Sequence, residues 1–118
     1  MASKAYSGGC HCKRVRYEVA ADLDRVIECN CSHCSAKGLL LTFAPAAQFK
    51  LLQGENELSK YQFNKHVIDH LFCKNCGVQS FARGKGPDGT ATVAINARCL
   101  DGVDVATLKR TPYDGRSK

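Results

Sequence analysis

Short segments of alternating apolar and polar residues dominate the chain and predict β-strands. Val15, Tyr17 and Val19 alternate with charged residues, which is typical of a half-buried strand over residues 15–19. The apolar run over residues 39–44 predicts a buried strand. Weaker patterns predict further strands over residues 25–28, 50–53, 58–63, 67–72, 78–83 and 90–96.

Helical signals are few and short. Pro45 is tolerated at the start of a helical turn over residues 45–49, and Asp104 can cap a short helix over residues 104–109. The ranges 35–38 and 84–89 have the composition of loops. Because no long amphipathic helix, internal repeat or linker is visible, the pattern predicts a mainly β fold with short helical turns, in one domain spanning residues 1–118.

Composition narrows the classes of function. Apolar residues make up 44% of the chain and charged residues 24%, as is ordinary for a folded protein. No apolar run is long enough to span a membrane, and the first residues lack the apolar core of a secretory signal. We therefore expect a cytoplasmic protein without a membrane partner.

The net charge of +6, from 17 basic and 11 acidic residues, counts every cysteine as neutral. A zinc ion on four thiolates contributes about −2 and one on three thiolates about −1, so two such sites would lower the net charge to about +3. The basic residues also form no dense run, which argues against a nucleic-acid partner. No feature of the pattern indicates an oligomeric state.

Eight cysteines in such a chain favour metal binding over disulfides. Cys73 and Cys76, followed by Gly77, have the spacing of a zinc knuckle, and Cys10 and Cys12 are the obvious second pair. These four cysteines are therefore predicted to hold one structural zinc. The alternative is that they are reduced cysteines packed as small apolar side chains.

Cys29, Cys31 and Cys34 lie too close together in sequence for comfortable disulfide geometry. Three thiolates would leave the fourth position of a tetrahedral zinc open for chemistry. The alternative is a closed structural site completed by Cys99 or His33. Cys99 is the stronger rival, because a His33 ring between two ligands is expected to point away from the metal. Residue types alone do not decide between an open and a closed site.

Five stretches together carry a resemblance that covers nearly the whole chain. They are Gly9-Cys-x-Cys12, Cys29-x-Cys31-x-x-Cys34, Phe72-Cys-x-x-Cys-Gly77, Asn96-x-Arg-Cys-Leu-Asp-Gly102 and Asp114-Gly-Arg116. The chain resembles the glutathione-dependent formaldehyde-activating enzyme family, which includes centromere protein V. The resemblance implies an Mss4-like zinc-binding β fold. It also implies one structural zinc on Cys10, Cys12, Cys73 and Cys76, an exchangeable active-site zinc on Cys29, Cys31 and Cys34, and an unliganded Cys99.

This resemblance indicates a chemistry that suits three thiolates. A zinc ion so held is a modest Lewis acid, but it binds a further thiol well and lowers its pKa. The expected function is that of a zinc-dependent carbon–sulfur lyase acting on thiol–aldehyde adducts such as S-hydroxymethylglutathione, with Cys29, Cys31 and Cys34 as catalytic residues. Its partner would be a small thiol or thiol adduct, with glutathione among the candidates. The alternative function is a zinc-stabilised binding module without catalytic activity.

Charged and aromatic side chains near the cysteine stretches give weaker signals. Lys37, just after the three cysteines, and Arg98 are candidate anchors for substrate carboxylates, although solvated surface charge is the simpler interpretation of each. His66 and His70 are interpreted as ordinary strand residues.

Overall fold

Strands in two sheets form most of the computed structural model, which describes residues 4–63, 67–86 and 88–117. Over these ranges the strands are β1 (Lys4–Gly9), β2 (Arg16–Ala21), β3 (Val26–Cys29), β4 (Leu41–Pro45), β5 (Phe49–Gln53), β6 (Leu58–Tyr61), β7 (Asp69–Cys73), β8 (Phe81–Lys85), β9 (Ala91–Asn96) and β10 (Arg110–Tyr113). The α-helix described is α1 (Ser32–Lys37), and 3₁₀ turns occur at Ala46–Gln48, Glu55–Glu57, Ala97–Cys99 and Val105–Thr107. Within the same ranges no helix has the length and apolar character needed to cross a membrane.

The smaller sheet has the strand order β1-β2-β5, and the larger sheet has the order β10-β3-β4-β9-β8-β7-β6. Neighbouring strands are antiparallel except β10 and β3, which are parallel and pair Tyr113 with Cys29. The parallel pair lies at one edge of the larger sheet and therefore brings the C-terminal segment beside the first of the three clustered cysteines.

The main core lies where the smaller sheet packs on the larger one. Tyr17 and Val19 of β2 and Phe81 of β8 are almost fully buried. The Tyr17 ring lies 5.1 Å from the Phe49 ring and 5.6 Å from the Phe81 ring, centroid to centroid. Its hydroxyl donates to the backbone oxygen of Ser80 at 3.1 Å, so this polar group is satisfied inside the core. The alternation over residues 15–19 is thus a half-buried strand, as predicted.

Most of the predicted elements are confirmed. The mainly β class and the short helical turns are observed, and Asp104 caps its 3₁₀ turn by accepting from the Ala106 amide at 3.1 Å. The predicted strand over 78–83 begins later, at Phe81, and extends through Gly84 into the range predicted as a loop. Strands β1 and β10 were not predicted, because neither has a clear apolar alternation. His66 lies outside the described residues.

Two predictions next to the clustered cysteines are wrong. Residues 35–38 do not form a loop, because α1 continues to Lys37 and ends at Gly38, which has a φ of 68°. The apolar run over 39–44 is not a fully buried strand, since the strand begins at Leu41 and the Phe43 side chain is 50% exposed. A six-residue helix has too few turns to show a helical period, which is why the sequence pattern missed it.

Candidate active site and metal centres

The structure brings the sulfurs of the predicted structural site together. Cys10 and Cys12 follow β1, while Cys73 and Cys76 lie at the turn between β7 and β8, and the four sulfurs are within 4.8 Å of one another. The Cys12 sulfur lies 3.6 Å from those of Cys10 and Cys73. Zinc–sulfur bonds of 2.3 Å in a tetrahedron require sulfurs about 3.8 Å apart. The observed spacing therefore fits a four-thiolate zinc.

Backbone amides donate hydrogen bonds to sulfurs of this group, although burial still raises the pKa of Cys10 to about 11. The Val15 amide donates to the Cys10 sulfur at 3.3 Å and the Asn75 amide to the Cys73 sulfur at 3.4 Å. A side-chain hydrogen bond from Asn75, with a backbone one from Arg14, lowers the pKa of Cys12 to about 6. Amide donors that stabilise thiolates are what a metal ligand set requires.

The three clustered cysteines lie where β3 meets α1. Cys29 ends β3, Cys31 caps the helix and Cys34 lies inside it, and their sulfurs are within 4.8 Å of one another. The Cys34 amide donates to the Cys31 sulfur at 3.3 Å, and the Cys31 amide to the Cys29 sulfur at 3.5 Å. The start of the helix thus aims two amides at the thiols, so this donor set also suits a soft metal such as zinc.

Burial and hydrogen bonding shift the pKa values of these thiols in different directions. Burial opposes ionisation of Cys31, but the Cys34 amide and the neighbouring thiols outweigh it and lower the Cys31 pKa. Burial raises the pKa of Cys34, whose side chain is only 6% exposed. A buried thiol of this kind is costly to ionise alone, and a bound cation would offset that cost.

Neither proposed fourth ligand lies with the three sulfurs. Among the described residues, the groups of metal-type ligands within 4.8 Å of one another include neither Cys99 nor His33. The Cys99 sulfur instead lies 3.8 Å from the Gln79 backbone oxygen. Burial raises the Cys99 pKa to about 11, with smaller contributions from Cys10 and Cys76 of the four-cysteine group. Among the described residues, the three sulfurs are thus grouped without a fourth metal-type ligand.

The two candidate anchors lie at the C-terminal end of α1. The Lys37 ammonium donates to the Gln79 side-chain oxygen at 2.9 Å and lies 5.2 Å from the centre of the Phe72 ring. Burial lowers the Lys37 pKa. The Arg98 guanidinium donates to the Gly38 backbone oxygen at 2.9 Å. Both cations are therefore held at the end of the helix that carries Cys34. Among the described residues, neither cation forms an ion pair with a carboxylate.

An imidazole–aromatic cluster next to the helix was missed by the sequence analysis. The His33 ring lies 4.2 Å from the His70 ring and 5.3 Å from the Phe63 ring, and Tyr61 completes the stack. Burial lowers the pKa of His33 to about 4 and also lowers that of His70. Both ring nitrogens of His33 and Nδ1 of His70 are buried without a hydrogen-bond partner in the described structure. Pairing of Tyr61 with His70 across β6 and β7 creates the cluster, which no local pattern shows.

Comparison with known proteins gives a consistent picture. The sequence pattern of the glutathione-dependent formaldehyde-activating enzyme family matches residues 5–111. An uncharacterised lyase of Schizosaccharomyces pombe is 25% identical over an alignment of 108 residues, and the alignment covers 87% of this chain and 74% of that protein. A crystal structure of a Rhodobacter sphaeroides protein superposes with a TM-score of 0.80 at 27% identity, covering 90% of this chain and 97% of that one.

Proposed function

The chain belongs to the glutathione-dependent formaldehyde-activating enzyme family, and we propose that it is a zinc-dependent carbon–sulfur lyase acting on adducts of a small thiol and an aldehyde. The observation that carries the proposal is the difference between the two cysteine groups. Four sulfurs converge in one group and three in the other, with no fourth metal-type ligand near the three among the described residues. Structural zinc sites are closed by four protein ligands, while catalytic ones keep a position open.

The side chains of this chain have separate tasks in the proposed reaction. Cys29, Cys31 and Cys34 hold the metal, the Cys31 amide keeps the Cys29 sulfur in place and the Cys34 amide keeps the Cys31 sulfur in place. Bound there, zinc would accept a substrate thiol and lower its pKa. Lys37 and Arg98 offer positive charge to the carboxylates of a thiol such as glutathione.

The bond changes balance without an oxidant or reductant. In the synthetic direction the thiol loses a proton and its sulfur adds to the carbonyl carbon of formaldehyde. The carbonyl oxygen then takes up one proton, so the protons balance. In the lyase direction the carbon–sulfur bond breaks and the aldehyde is released. The hydroxyl proton lost in this direction returns to the departing thiolate, and the reverse transfer protonates the alkoxide that forms in synthesis. Holding the thiol and the aldehyde side by side would supply the main advantage.

The test is the exchange of ¹³C-formaldehyde with glutathione, followed by NMR exchange spectroscopy on the zinc-loaded protein. We expect exchange that increases with protein concentration and that is lost in Cys34→Ser. Cys99→Ser is the matched control, because Cys99 lies outside both groups, and it should retain the exchange rate. If the wild-type protein adds nothing to the uncatalysed exchange with glutathione or with other small thiols, the proposal is wrong and the non-catalytic binding module is favoured.

A further inference from the structure

The C-terminal segment after β10 is fastened to Asn30, the residue between Cys29 and Cys31. The Asn30 side chain donates to the Asp114 carboxylate at 3.1 Å and accepts from the Arg116 amide at 2.9 Å. The Arg116 guanidinium donates to the Asn30 backbone oxygen at 3.2 Å, and the Asn30 amide donates to the Tyr113 backbone oxygen at 3.0 Å. Donors and acceptors of both the backbone and the side chain of Asn30 are thus used by one short segment.

Gly115 lies at the centre of this segment and directly against a predicted metal ligand. A Cβ atom at Gly115 would overlap the Cys29 sulfur and would lie 3.3 Å from the Cys31 Cβ. Only a residue without a side chain lets the backbone pass this close to the sulfur. Cys29, in turn, is only 9% exposed. The segment therefore forms a wall of the three-cysteine group on the Cys29 side.

We propose that Asn30 and the segment Asp114-Gly115-Arg116 form a clasp that positions the Cys29 and Cys31 sulfurs for metal binding, with Gly115 setting the width of the site on that side. Both act through the cysteines and are positioning residues. The proposal deepens the proposed function and rests on it for the role of the three-cysteine site. Hydrogen bonds that orient metal ligands commonly change metal affinity by tenfold to a hundredfold, about the size expected here.

The clasp touches one cysteine group only. Cys10 and Cys73 of the four-cysteine group receive their amide donors from Val15 and Asn75, which belong to other loops. A zinc ion at the four-cysteine group is consequently an internal reference in the same molecule. A general loss of fold would weaken both sites, whereas loss of the clasp should weaken one.

The first experiment measures zinc affinity of the full chain by competition with a chromophoric chelator for wild type and Gly115→Ala. We expect the weaker of the two zinc ions to lose at least about tenfold in affinity, with the tighter one unchanged. Gly84→Ala is the matched control, since a Cβ at Gly84 meets Ile68 at an ordinary 3.5 Å. It should leave both affinities unchanged.

A charge exchange across the clasp gives a second variant that does not depend on Gly115. Asn30→Asp places a carboxylate against Asp114 and should weaken the three-cysteine zinc. Adding Asp114→Asn restores a hydrogen bond with donor and acceptor exchanged, while the Arg116 amide keeps its acceptor. The double variant should recover most of the zinc affinity. The visible and near-ultraviolet absorption bands of Co²⁺ bound at the three-cysteine group should shift in the single variant and return to their wild-type positions in the double variant.

The outcomes separate this inference from the proposed function. Selective loss of the weaker zinc and its recovery support the clasp, even if no variant and no wild-type protein has lyase activity. Unchanged zinc affinity and Co²⁺ bands in Gly115→Ala and Asn30→Asp overturn the clasp, even if the wild-type protein is an active lyase. A wild-type chain that binds a single zinc ion, or equal weakening of both sites, also overturns it.

Discussion

Replacing Cys73 and Cys31 by serine, one at a time, tests whether the two cysteine groups have the different roles proposed for them. The Cys73 side chain is fully buried, and its sulfur accepts from the Asn75 amide at 3.4 Å. Serine there would lose a thiolate ligand in a place that water does not reach. In Cys31→Ser, by contrast, serine can still cap α1, because the capping contact is from the Cys34 amide to the side chain.

The magnitude follows from the number of ligands. Structural zinc binds small domains with about 10–16 kcal/mol, which divided among four sulfurs is roughly 3 kcal/mol for each. Folded proteins are stable by only about 5–15 kcal/mol, so Cys73→Ser should remove a large part of the stability and lower the melting temperature by about 10 °C or more. Cys31→Ser should also lose a zinc, but a weakly held, exchangeable ion stabilises the folded state less. Because the helix cap remains as well, the free energy of unfolding should fall by much less than in Cys73→Ser.

The assay combines thermal unfolding with zinc analysis of the same zinc-loaded samples. The expected result is one zinc lost in each variant and a large loss of stability in Cys73→Ser only. An unchanged melting temperature and zinc content in Cys73→Ser would refute the four-thiolate site. Equal destabilisation by the two substitutions would refute the assignment of a structural role to one group and an exchangeable metal to the other.

Three further predictions concern the candidate active site. A chelator should remove the three-cysteine zinc well before the four-cysteine zinc, and Cys99→Ser should keep both; loss of a zinc in that variant, measured by metal analysis, would identify Cys99 as a ligand. Lys37→Met and Arg98→Ala should each weaken glutathione binding several-fold in calorimetry and leave an uncharged thiol unaffected, and equal effects on both thiols would exclude carboxylate anchoring. Burial lowers the pKa of His70 in the folded protein, so as the pH falls below about 6.5 the unfolded state binds a proton first and stability decreases. His70→Phe should therefore lose less stability between pH 7 and pH 5 than wild type in denaturant titrations, and an identical loss would show that His70 does not titrate as described.

Local pattern was sufficient for several parts of this protein. Period-2 alternation identified β2. Successive side chains of a strand point to opposite faces, so a strand with one buried face alternates apolar and polar residues. Spacing identified the Cys73–Cys76 turn, because two thiols on one tight turn approach each other whatever surrounds them. The grouping of cysteines into pairs and a triplet was therefore visible in the sequence.

Which side chains come together at the two cysteine groups depends on contacts between residues that are distant in sequence. Cys12 meets Cys73 across 61 positions, and only the packing of the strands decides that Cys99 joins neither group. Helix α1 forms although it shows no period, because Cys31 caps it and Gly38 ends it. Gly115 reaches Cys29 because β10 pairs in parallel with β3. The sequence of a four-residue strand does not indicate which strand it pairs with. Sequence by itself identified the candidate metal-binding cysteines. Tertiary structure decided which of them meet, because non-local contacts are fixed by how the strands pair and pack together rather than by neighbours along the chain.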